Sequence, residues 1–98
     1  MNVKEVITVL GRNRSRLDEF QVKALYLFGS IVRGEAGPGS DVDILVEFEP
    51  DAHVGLFEFA RLQRFLTERL GRPVDLATPD SLHKAFREGV LKEAVRAA

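Results

Sequence analysis

The sequence predicts an α/β layer, a small mixed sheet with helices on one face and the other face open. Three observations lead there. Two segments have strand character, an apolar run at residues 23–28 and an alternating stretch at 41–49. Apolar residues recur at helical spacing on both sides of them. The connection from the first strand to the second is short, which suggests a mixed sheet rather than a purely parallel one.

The elements follow in order. Val3, Val6, Ile7, Leu10 and Leu17 space a helix over residues 3–18, with Asn2 as its cap and Gly11 as a weak point. Lys-Ala-Leu-Tyr-Leu-Phe (23–28) reads as a buried strand ending at Gly29, with Tyr26 expected in the core. Ile31-Val32-Arg33 begins a short helical turn that Gly34 closes. Residues 34–40, Gly-Glu-Ala-Gly-Pro-Gly-Ser, form a loop in which Ser40 serves the turn. In 41–49, Val42, Ile44, Val46 and Phe48 face one way, and Asp41, Asp43, Glu47 and Glu49 the other.

Pro50 ends that strand. Leu56, Phe59, Ala60, Leu62, Phe65, Leu66 and Leu70 then mark an amphipathic helix over 55–70, with Gly71 just past its end. Val74 to Ala77 is a short strand. Thr78-Pro79 starts a last helix, over about 79–95, with Leu82, Phe86, Val90, Leu91 and Val95 on its apolar side and Gly89 as a possible kink.

Length and composition bound the rest. The 98 residues are read as one domain, 1–98, too short for a catalytic unit plus a separate substrate domain. Apolar residues at 45% and charged residues at 30% are ordinary for a folded chain. No apolar run approaches the roughly 20 residues that span a bilayer, so no membrane partner is expected. The N-terminus lacks a secretory pattern, and there are no cysteines; a cytoplasmic location is the expectation. The absence of Cys also excludes thiolate metal sites, and His53 and His83 are far apart in sequence for a zinc site. Net charge is −1, without the basic footprint that tight nucleic-acid binding shows, so no direct nucleic-acid partner is expected. The acidic residues crowd the middle of the chain, where a cation suits better than a polyanion.

Asp41 and Asp43 sit two apart on a strand, on the same face and roughly 7 Å apart by the strand rise. Carboxylates so spaced can converge on Mg²⁺, which prefers hard oxygen ligands; Mn²⁺ is not well separated from it by such donors. An isolated Asp-x-Asp is an ordinary solvated strand face. Three details point further. Asp is depleted in strands, and two together repel unless neutralised. Asp75 lies between Val74 and Leu76, whose apolar side chains belong to the core, so it faces the same open side if the strands are neighbours. Gly29-Ser30 follows a strand and opens a helical turn, offering free backbone N–H groups and a hydroxyl to a phosphate. Arg33 could reach that phosphate. Two divalent ions could then clamp the attacking and leaving oxygens of an in-line displacement, chemistry that needs mainly positioning and charge neutralisation.

Gly29-Ser30, ten intervening residues and Asp41-Val42-Asp43 resemble the signature of the DNA polymerase β-like nucleotidyltransferase superfamily. The stretch from Phe28 to Val46, with Arg33-Gly34, Ala36 and Ser40-Asp41, is similar to its minimal nucleotidyltransferase branch, the MNT or MntA-type antitoxins. The resemblance spans nearly the whole chain and is most specific at its centre. It implies a palm-like nucleotidyltransferase fold with an open catalytic face. It implies triphosphate binding by Gly29 and Ser30, metal binding by Asp41 and Asp43, and at Asp75 a third catalytic carboxylate that also binds metal and activates the acceptor hydroxyl. It further implies transfer of AMP from ATP to a hydroxyl, in some antitoxins a tyrosine of a small helical HEPN toxin. Neutralisation of such a partner by binding alone stands as the alternative.

Overall fold

The computed structural model describes all residues from Met1 to Ala98. Helix α1 (Val3–Arg12) opens as expected, with the Asn2 Oδ1 accepting from the Glu5 N–H at 2.9 Å. The single helix expected over 3–18 is two, α1 and α2 (Arg14–Glu19). The break falls at Asn13 rather than Gly11. The Asn13 amide turns back to donate to the Val9 carbonyl at 2.7 Å, and its backbone leaves helical angles. Both helices still bury one stripe, with Val6, Leu10 and Leu17 fully enclosed and Ile7 left exposed.

Strand β1 (Val22–Phe28) pairs antiparallel with β2 (Val42–Phe48), and β2 pairs parallel with β3 (Val74–Ala77). The mixed sheet is therefore as expected. The parallel step is made by α3 (Leu56–Leu70), which buries Leu62, Phe65, Leu66 and Leu70. Gly71 ends it in the left-handed region at φ 69°, its N–H donating to the Thr67 carbonyl. The phenylalanines divide: Phe65 is buried and Phe59 packs against the core, whereas Phe57 is exposed.

The helix expected over 79–95 is broken. Thr78 and Pro79 do start a turn, but it is a 3₁₀ turn, Pro79–Ser81, and the chain is extended at Leu82. Helix α4 is Lys84–Glu93, capped by the His83 Nδ1, and Gly89 lies inside it without splitting it. None of its residues is buried; Phe86 and Leu91 are exposed. Its amphipathic pattern finds no cover because a fourth strand follows at once. Strand β4 (Val95–Arg96) pairs antiparallel with β1, and Ala97 and Ala98 extend the bonding to Leu25, so the order is β3-β2-β1-β4. Two residues carry no strand periodicity, so β4 was illegible locally.

The core lies between the sheet and α1, α2 and α3. Val22, Leu25 and Leu27 of β1, Val42, Ile44 and Val46 of β2, and Val74 and Leu76 of β3 point into it. Leu45 departs from the expected alternation. It belongs to the opposite face yet is only 2% exposed, aligned between Tyr26 and Ala77 of the adjoining strands. Tyr26 is correspondingly half-buried on that face and not in the core. The open face is thus apolar and covered at one end, acidic and accessible at the other. No helix is long and apolar enough to cross a membrane.

Candidate active site

The acidic end is built by strand register. Asp43 lies directly beside Asp75 across the parallel β2–β3 pair, and beside Phe28, the last residue of β1, on the other side. Asp41 immediately precedes β2 and is exposed, as is Asp75, whereas Asp43 is half-buried. The expected neighbourhood of all three carboxylates is therefore present. The Val42 N–H donates to the Pro73 carbonyl at 2.9 Å, which carries the parallel pairing up to the site.

Gly29 and Ser30 begin a 3₁₀ turn, Gly29–Ile31, straight off β1. This turn is shorter than the helical start expected, and the Val32 and Arg33 N–H groups close it onto the Gly29 carbonyl. Gly29 has φ 75°, and a methyl group there would overlap the Asp43 Oδ2 and carboxyl carbon. Only glycine allows both the backbone turn and the Asp43 carboxylate against it. The Gly29 turn and the Asp43 carboxylate therefore lie against each other. The loop between them is held from outside: Arg72 donates to the Gly37 and Pro38 carbonyls at 3.0 and 2.9 Å, and the Ser40 Oγ accepts from the Gly37 N–H. Ser40 serves the turn, as expected.

Arg33 pairs with Glu35 at 2.8 Å and with Glu93 at 3.1 Å. The Glu35 hydrogen bond, then the Glu93 charge, raise its pKa above an ordinary guanidinium. Glu93, at the end of α4, also accepts from the Gly29 N–H at 2.8 Å. Sequence reasoning missed Glu93 and Arg72, because both act across contacts of more than thirty residues that no local pattern announces.

The donors on this face are all oxygens, which suits a hard divalent cation. No group of three or more His, Cys, Asp or Glu side chains is drawn together tightly enough to hold a metal. What the carboxylates share is uncompensated charge. Burial, then the charges of Asp75 and Asp41 and more weakly Glu93, push the Asp43 carboxyl pKa up, and the Arg33 charge opposes them. A cation among Asp41, Asp43 and Asp75 would relieve this repulsion, so the residues fit one by donor type and charge. A hollow of about 440 Å³ does exist elsewhere, lined by Arg16, Phe20, Arg61, Arg64 and Phe65. It lies among α2 and α3, without the aspartates, and Glu19, Glu58 and Glu68 in its lining match the three arginines in number.

The nucleotidyltransferase domain family matches residues 7–97 of this chain. The chain belongs to that family. Within it, the chain is of the minimal, MntA type. A protein adenylyltransferase MntA of Thermococcus cleftensis is 40% identical over 96 residues, covering 97% of this chain and 95% of the relative. A solved structure of a candidate minimal nucleotidyltransferase superposes with a TM-score of 0.79 at 34% identity, covering 97% and 95% of the two chains. A Shewanella oneidensis complex, a tri-AMPylated HEPN toxin with its MNT antitoxin, has a TM-score of 0.58 at 19% identity, covering 90% of this chain and 71% of that one, and carries the fold alone. This MntA-type domain carries the Gly29 turn and the strands bearing Asp43 and Asp75 next to one another in its sheet.

Proposed function

We propose that this domain transfers AMP from ATP to a hydroxyl of a small helical HEPN-type protein, and so acts as its antitoxin. The observation that carries the reading is the register pair Asp43–Asp75 beside the Gly29 turn. Gly29 and Ser30 hold the triphosphate through backbone N–H groups and the hydroxyl, and Arg33 adds charge. Asp41, Asp43 and Asp75 would hold Mg²⁺, or Mn²⁺ in its place, and when bound the metal would neutralise the triphosphate and the negative charge that builds on the leaving pyrophosphate oxygen.

Asp75, exposed on the outer strand of the three, receives the proton of the acceptor hydroxyl. The hydroxyl oxygen bonds to the α-phosphorus, the bond to the bridging oxygen breaks, and pyrophosphate leaves. Such a small open face has little room for an acceptor pocket of its own, so the partner protein presents the hydroxyl. The Thermococcus relative, named a protein adenylyltransferase, and the AMPylated HEPN toxin of the Shewanella complex support this choice of nucleotide and acceptor.

The test is transfer of label from α-labelled ATP, with magnesium, to a purified HEPN-type protein. Label should move and should be lost in Asp43→Asn. Inhibition of the partner that survives Asp43→Asn, with no label moved by any nucleotide, would leave neutralisation by binding alone.

A further inference from the structure

The donors assigned above to the triphosphate are already in use. The Glu93 Oε1 accepts from the Gly29 N–H at 2.8 Å and from the Arg33 Nη1 at 3.1 Å, while Oε2 lies 3.4 Å from the same nitrogen. A carboxylate oxygen and a phosphate oxygen make the same demands on such donors, an anion accepting charge-assisted hydrogen bonds. Arg33 is also held from its other side by Glu35 at 2.8 Å, so its charge is matched twice over within the chain.

The arrangement of α4 and β4 makes the Glu93 contact reversible. Two residues beyond Glu93 the backbone is fixed, Val95 and Arg96 pairing with Leu27 and Tyr26 of β1. Glu93 itself ends a helix with no buried residue, and its side chain is 30% exposed. The carboxylate can leave Gly29 by rotating its own side chain, without detaching the strand that tethers it.

We propose that Glu93 is a tethered anion in the triphosphate seat, one that nucleotide must displace and that sets the affinity for the triphosphate. The inference rests on the reading of Gly29 and Arg33 as triphosphate ligands. A site open only part of the time binds with an apparent dissociation constant raised by the inverse of the open fraction. Removing the negative charge therefore tightens binding. Glu93→Gln keeps the shape and an acceptor oxygen; Glu93→Ala removes the competitor altogether. The gain falls on ligands that carry β- and γ-phosphates, and pyrophosphate gains in parallel.

The experiment titrates the full chain with a non-hydrolysable ATP analogue, with pyrophosphate and with AMP, in magnesium, while the Gly29 amide is followed by NMR. Both variants should bind the analogue and pyrophosphate about fivefold tighter than wild type, with AMP changed less than about twofold. A Glu93 that merely braces the turn gives the opposite sign. If the analogue moves the Gly29 amide in wild type but both variants bind it no tighter, the Glu93 inference is overturned and the site stands. If the analogue binds without moving the Gly29 amide, the site reading fails and the Glu93 inference falls with it.

Discussion

The two faces of β2 are made by alternate residues of one strand and obey opposite rules. Ile44 and Val46 point to the helices and are fully buried, satisfied by contact alone. Asp43, between Val42 and Ile44 in sequence, points the other way into a half-buried setting with Asp41 and Asp75 as like-charged neighbours. One face is optimised for the fold. The other carries a repulsion that the fold on its own does not relieve, and such local conflict is expected where a chain serves a ligand rather than its own stability.

Substitutions at neighbouring positions should separate the two. The largest effect is expected for Asp43→Asn on transfer, a loss of about a thousandfold in kcat, equivalent to about 4 kcal/mol, with the circular dichroism of the fold unchanged. A drop under about tenfold would remove Asp43 from the chemistry. Next comes Ile44→Ala, one residue on. It leaves a cavity under the sheet and should cost about 3 kcal/mol in urea unfolding, with no selective effect on nucleotide affinity.

A smaller effect of opposite sign sharpens the contrast. The folded-state pKa of Asp43 is raised, so its ionisation disfavours the fold: the stability it contributes is present below the ordinary carboxyl value of 3.8 and lost as pH rises through the folded value. Without divalent metal, Asp43→Asn should therefore raise the Tm at pH 7 by about 2 °C, and the gain should vanish below the ordinary value. A lower Tm at pH 7 would show that Asp43 supports the fold. The smallest effect is expected at Leu91→Ala on α4, within about 0.5 kcal/mol of wild type, because Leu91 is 51% exposed. A cost above about 2 kcal/mol would place α4 with the core helices.

Where the chain's own period decides, the sequence was readable. The β2 alternation identified both its core side and the aspartate pair, since neighbouring side chains on a strand must take opposite faces. Helix α3 was equally plain, with Gly71 at its end. Tyr26 lies outside the core because it packs beside Leu45 on the opposite face of the sheet, and the apolar run of β1 does not say which face each residue takes. The last helix failed for a related reason. The same amphipathic pattern that buries α3 leaves α4 exposed, because β4 captures the end of the chain on β1.

By itself, then, the sequence supplied the residues of the proposed site: glycine and serine at a strand end, two aspartates two apart, a third in a short strand. Those are local facts of spacing and backbone preference. Tertiary structure alone decided that Asp75 stands beside Asp43, that Gly29 has room only for the Asp43 carboxylate, and that Glu93 sits on the Gly29 N–H. Each depends on strand order and register across some fourteen to sixty-four residues of chain, and local periodicity carries no information about which distant segments meet.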